Sequence, residues 1–83
     1  MRYKVGDKVK VKTWDKMVRE FGLDSDGDIN CKHLFVKPMD CWCGEEMTIK
    51  KVIEYDDRYY MEEDLAAWDW SDDMMDGINN ERI

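Results

Sequence analysis

Histidine is nearly absent from this chain: His33 is the one imidazole in 83 residues. No Ser/His/Asp arrangement and no glycine-rich phosphate loop is recognisable around it, and the carboxylates are too many for any pair to stand out as an acid and base. The sequence therefore predicts a protein that is not an enzyme. Long apolar runs are missing as well. No segment approaches the roughly 20 apolar residues of a membrane-spanning helix. The start, Met1-Arg2-Tyr3-Lys4-Val5-Gly6-Asp7, lacks an apolar stretch of signal-peptide length. The expectation is a cytoplasmic protein that makes no membrane contact.

What is present is charge. Charged residues make up 40% and hydrophobic residues 43% of the chain, too apolar a mixture for disorder. A single domain of this length buries only a small core, so an additional staple would help it. The formal net charge is -7, with 13 basic and 20 acidic residues. Most of the bases lie in the first quarter (Arg2, Lys4, Lys8, Lys10, Lys12, Lys16, Arg19), and half of the acids lie in the last third. Such a dipolar surface disfavours direct contact between the acidic end and nucleic-acid phosphates, and it favours a basic protein partner. The plainer alternative is that the acids keep a small protein soluble.

The run KVGDKVKVK places Val5, Val9 and Val11 at even spacing with lysines between them, which predicts a half-buried strand. Thr13 then caps a helix, WDKMVREF, whose apolar stripe is Trp14, Met17, Val18 and Phe21, and Gly22 ends it. Residues 22–33 read as a polar loop, followed by Leu34, Phe35 and Met39 as anchors around a short helical turn at Pro38. EMTIKKVI is a strand with a bulge, since Val52 falls out of phase with Met47, Ile49 and Ile53. Tyr55 to Arg58 form a turn, YYMEE is the return strand, and WDW puts Trp68 and Trp70 on one face of a third short strand. Ser71, Asp72 and Asp73 look like the cap of a last helical turn. The predicted fold is α+β: a small SH3-like, partly open antiparallel barrel or sheet over residues 1–76, with one short helix, a zinc-stapled loop and a frayed tail at 77–83.

Two stretches suggest metals. DSDGDI, Asp24 to Ile29, begins like a calcium loop with oxygen ligands at positions 1, 3 and 5. However, position 6 is Ile29 where glycine is needed, and position 12 is Phe35 where a bidentate glutamate is needed. It reads as an acidic turn with Gly27 at positive φ. Beyond it lie all three cysteines and the histidine, as Cys31-x-His33 and Cys41-x-Cys43. These are ligand types that zinc prefers in a closed, structural tetrahedron, although one intervening residue is tighter than the common spacing. Zinc bound by Cys31, His33, Cys41 and Cys43 would staple a loop-rich region. Buried free thiols, or a disulfide from Cys31 to Cys41 or Cys43, are the alternatives.

The acidic end mixes Tyr55, Tyr59, Tyr60, Trp68 and Trp70 with Asp56, Asp57, Glu62, Glu63, Asp64, Asp69, Asp72 and Asp73. These carboxylates with Trp68 and Trp70 form a candidate partner-binding surface for arginine or lysine, through charge and cation–π contact. The competing expectation is that most of the rings are core.

The runs KVGDKVKVK, FGLDSDGDI, CGEEMTIKKV and WDWSDDMM, covering residues 1–76, resemble a class of small proteins encoded by phages and prophages of Gram-positive bacteria. Some small acidic phage proteins are anti-CRISPR proteins, and this chain resembles an inhibitor of the type II RNA-guided nuclease. The resemblance implies a non-catalytic protein of the infected host's cytoplasm that binds the nuclease and blocks DNA loading or cleavage. The nuclease's positively charged channel gives an acidic ligand a physical reason to bind. A phage adaptor or assembly module, an SH3-like barrel docking a peptide at Trp68 and Trp70, is the alternative. A nucleic-acid-binding module using Lys4, Lys8, Lys10 and Lys12 comes third.

Overall fold

Alternation of lysine and valine forms the central strand of the molecule. The computed structural model describes residues 2–78. Strand β1, Lys8–Val11, turns its lysines to solvent and buries Val9 and Val11 completely. Val5, expected on the same buried face, is 62% exposed because it precedes the turn at Gly6. Strand β2, Glu46–Ile53, pairs antiparallel with β1, and Val9 lies opposite Met47. Strand β3, Arg58–Met61, returns beside β2, with a register shift between Ile49 and Lys51. That irregularity is the bulge expected from Val52. Strand β4, Met75–Ile78, pairs with the other side of β1, so the order among the described residues is β3-β2-β1-β4. The sheet is open, with β3 and β4 at its edges.

The predicted tail thus begins inside a strand, since Gly77 and Ile78 belong to β4. Residues 79–83 of that tail lie outside the described residues.

Helix α1, Trp14–Phe21, has the expected bounds. The Thr13 hydroxyl accepts a hydrogen bond from the Lys16 N–H at 3.3 Å, satisfying one of the free donors of the first turn. Gly22, at φ 77°, ends the helix, and its N–H bonds back to the Val18 carbonyl. A 3-10 helix, Lys37–Trp42, follows the loop with Pro38 near its start, where a missing N–H costs nothing.

Phe35, fully buried, joins these parts. Its ring meets Trp14 of α1 edge-on at a centroid distance of 6.0 Å and Trp70 at 5.8 Å. Met17, Ile29, Met39, Met47, Ile49, Met61 and Met74 complete the core around it. The expected third strand at WDW is reduced to one bridge, in which Tyr59 and Trp70 exchange both backbone hydrogen bonds. Trp70 is 0% exposed, and Trp68 packs half-buried on the core's edge.

Candidate functional site: an acidic patch and a thiol turn

Two turns distant in sequence hold the acids together. After β2, a 3-10 turn at Glu54–Asp56 leads to Asp57, which sits in the left-handed region at φ 52°. After Trp70, a second 3-10 turn, Asp72–Met74, presents Asp72 and Asp73. Asp57, Asp72 and Asp73 line a shallow depression with Lys32, which no sequence pattern marks as part of a site. The Lys32 ammonium lies 3.3 Å from Asp57 Oδ2, and its backbone N–H donates to Asp73 Oδ2 at 2.8 Å. His33 docks the same loop from the other side. Its N–H reaches the Ser71 hydroxyl, and its Nε2 lies 2.8 Å from the Asp56 carbonyl oxygen.

The predicted partner-binding residues divide into an exposed set and an internally engaged set. Asp56, Asp57, Glu62 and Glu63 are exposed, while Asp69, Asp72 and Asp73 are half-buried. Arg58 ties Asp56 and Asp69 together at 3.0 and 3.1 Å and lies over the Tyr60 ring. Glu63 accepts from the Thr48 N–H at 2.7 Å and from its hydroxyl at 2.8 Å. Partial burial works against ionisation of Glu63, but the two Thr48 donors and nearby Lys8 outweigh it and hold its carboxyl below the usual range. Asp64 and Trp70 are buried and bonded to each other, so neither presents a surface to a partner. The patch therefore centres on Asp56, Asp57, Asp72 and Asp73.

The cysteines and histidine do not assemble as expected. Cys31 is 6% exposed and its thiol faces Met17 Sδ at 3.9 Å. Burial, reinforced by Asp73, pushes that thiol up to about 12. His33 faces Asp56 as described. Cys41 is exposed at the end of the 3-10 helix, where its thiol points toward the Pro38 carbonyl oxygen at 3.8 Å. Cys43 is half-buried, and burial, with Asp40 and Cys41 adding to it, pushes its thiol up to about 11. Among the described residues no three His, Cys, Asp or Glu side chains are grouped to hold a metal ion. As arranged, the four residues do not fit a tetrahedral zinc site, and all three thiols are free.

The DSDGDI turn is also internally satisfied. Asp24 Oδ1 accepts from the Asp26 and Asp28 N–H groups at 2.8 and 3.0 Å, and Gly27 takes φ 86°. Its lead carboxylate serves the backbone, as an Asx turn does.

Among the described residues no helix is long and apolar enough to cross a membrane. No protein-family model, no curated protein and no solved structure matches the chain.

Proposed function

We propose that the chain is a non-catalytic, SH3-like binding module that engages a basic protein surface through the patch of Asp56, Asp57, Asp72 and Asp73. The convergence of Asp57, Asp72 and Asp73 from two turns on one depression, with Lys32 as the partial counter-charge, supports this reading. Following the resemblance to phage anti-CRISPR proteins, the partner is the host type II RNA-guided nuclease, and the outcome is blocked DNA loading or cleavage. Carboxylates arrayed on a rigid surface compete for the cationic channel that otherwise holds nucleic acid. The adaptor reading depended on Trp68 and Trp70 together, and burial removes Trp70 from it. The strand-lysine reading loses Lys12, which is paired with Glu20 at 2.7 Å.

The test is a reconstituted cleavage assay with guide-loaded nuclease and a molar excess of the protein. Target cutting is expected to fall, less so at high salt and less so with Asp56→Asn and Asp57→Asn combined. Undiminished cutting with the wild-type chain overturns the proposal.

A further inference from the structure

The backbone after β3 takes a form that its residues do not favour. Leu65 and Ala66 stand in succession in left-handed conformation, at φ 56° and 59°. Glycine, and less readily Asn or Asp, adopts that region routinely; Leu and Ala do not. The conformation is held from outside the two residues. The Ala66 N–H donates to the Asp64 carboxylate and to the Met61 carbonyl oxygen, both at 3.1 Å, and the Leu65 N–H donates to the Glu62 carbonyl oxygen at 3.1 Å. Asp64 is itself buried and fixed by the Trp70 indole. The core thus enforces a strained turn.

What the strain displays is Leu65. Its side chain is 84% exposed, the most open large apolar residue among those described. Ala67 is exposed too, and Ala66 and Trp68 are half-buried, so an apolar run, LAAW, reaches solvent within the acidic end of the chain. A single exposed leucine needs no explanation. A leucine exposed on backbone that glycine would relax does need one, because packing within the chain recovers little and strain of this kind gathers at sites of function.

We infer that Leu65 is an apolar anchor that enters a pocket on the basic protein engaged by the acidic patch, a role that rests on the patch reading. Exposed Glu62 and Glu63 precede the turn and half-buried Asp69 follows it, so the anchor is flanked by carboxylates and fits an apolar pocket with a basic rim. Arg58 connects the two regions, pairing with Asp56 of the patch at 3.0 Å and with Asp69 at 3.1 Å. It begins β3, and Met61, where the turn is tied, ends it. At about 3.3 Å per residue those two ends lie roughly 10 Å apart, well within the roughly 800 Å² that each partner contributes to a standard interface. A turn fixed by the core also presents the leucine in one conformation, which reduces the ordering needed on association.

The experiment measures affinity for the guide-loaded type II nuclease by biolayer interferometry at low and high salt. The wild-type chain should bind. Leu65→Ala, and Leu65→Asn combined with Ala66→Gly, should each bind about 10- to 100-fold more weakly, the range that loss of one buried leucine implies. The double variant relaxes the turn, so its urea midpoint should not fall and its loss of binding is not a loss of fold. That loss should be the same at both salt concentrations, whereas the loss from combined Asp56→Asn and Asp57→Asn should shrink as salt rises. Undiminished binding by either folded Leu65 variant overturns the inference and leaves the patch reading standing. No binding by the wild-type chain overturns both. Self-association of the isolated chain in sedimentation, abolished by Leu65→Ala, would also overturn it by giving the turn to a second copy.

Discussion

Trp70 donates its indole N–H to Asp64 Oδ2 at 2.9 Å, and both residues are buried. The other oxygen of the same carboxylate accepts the Ala66 N–H at 3.1 Å. Asp64 therefore joins the largest core side chain to the turn that follows β3, and a residue read in the sequence as a surface acid is a structural one. Removing it leaves a buried indole donor unpaired, a loss of about 1–3 kcal/mol with more expected because the acceptor is charged. Asp64→Ala should lower the urea midpoint accordingly, with Asp64→Asn intermediate because its amide oxygen still accepts one bond. An unchanged midpoint for Asp64→Ala would show the contact to be inconsequential.

The turn held by Asp64 is itself unfavourable. Leu65 and Ala66 both take left-handed backbone, at φ 56° and 59°, and the Ala67 N–H closes the turn on the Asp64 carbonyl at 3.0 Å. This is the geometry of a type I′ turn, which Asn-Gly suits and Leu-Ala does not. Left-handed backbone costs an ordinary residue about 1–2 kcal/mol, and the Leu65 side chain, 84% exposed, recovers little by packing. Replacing Leu65-Ala66 by Asn-Gly should raise stability by roughly 1–2 kcal/mol in chemical denaturation. A loss of stability would mean that the Leu65 side chain contributes packing its exposure does not reveal.

Two buried tyrosines should respond oppositely to loss of their hydroxyls. Tyr59 OH donates to Asp72 and accepts the Tyr3 N–H at 3.1 Å, while Tyr3 OH is buried with no partner among the described residues. Tyr59→Phe should destabilise by about 1–3 kcal/mol, whereas Tyr3→Phe should be neutral or stabilising, since it removes a desolvated group that gains nothing. Thermal unfolding of the two variants side by side distinguishes them. Equal losses would contradict the hydrogen-bond assignment.

The zinc expectation gives a separate test. Cys31 is turned to Met17 and His33 to Asp56, an arrangement that does not bring the four expected ligands onto one metal. Protein purified without added metal should carry well under one zinc per chain by native mass spectrometry, and a zinc chelator should leave its melting temperature unchanged. A structural zinc would instead make chelation unfold the domain.

Local patterns were legible in the sequence because short-range physics decides them. The Thr13 cap, the Gly22 stop, the inward Val9 and Val11, and the bulge in β2 each follow from residues within a few positions. The acidic turn at Asp24 follows in the same way. What could not be read was the outcome of long-range competition. Nothing near Trp70 announces that Phe35 and Tyr59 will enclose it, and nothing near Asp64 announces an indole donor six residues on. Lys32 meets Asp73 across 41 positions, a separation that composition and spacing do not encode. For the cysteine cluster, nearness in sequence is not convergence in space. Each side chain followed its own nearest partner, Met17, Asp56, Pro38 or Trp14.

Stability should fall at both ends of the pH scale for different reasons. Cys31, Cys43 and Tyr59 are all raised in the folded state, chiefly by burial, to about 12, to about 11 and higher still. A group raised on folding binds its proton more tightly in the native state, so its contribution is complete below the unfolded pKa and is lost as pH climbs toward the folded value. Stability should thus decline from about pH 9 upward, where the unfolded thiols begin to ionise. Glu63 is the reverse case. Its folded pKa is depressed, so its contribution is present at neutral pH and lost as pH falls below the ordinary glutamate value of 4.5. Urea midpoints between pH 3 and pH 11 should trace a plateau with both shoulders. Cys31→Ala should flatten the alkaline shoulder, and Glu63→Gln the acid one. An alkaline shoulder that survives Cys31→Ala, Cys43→Ala and Tyr59→Phe together would assign it to other groups.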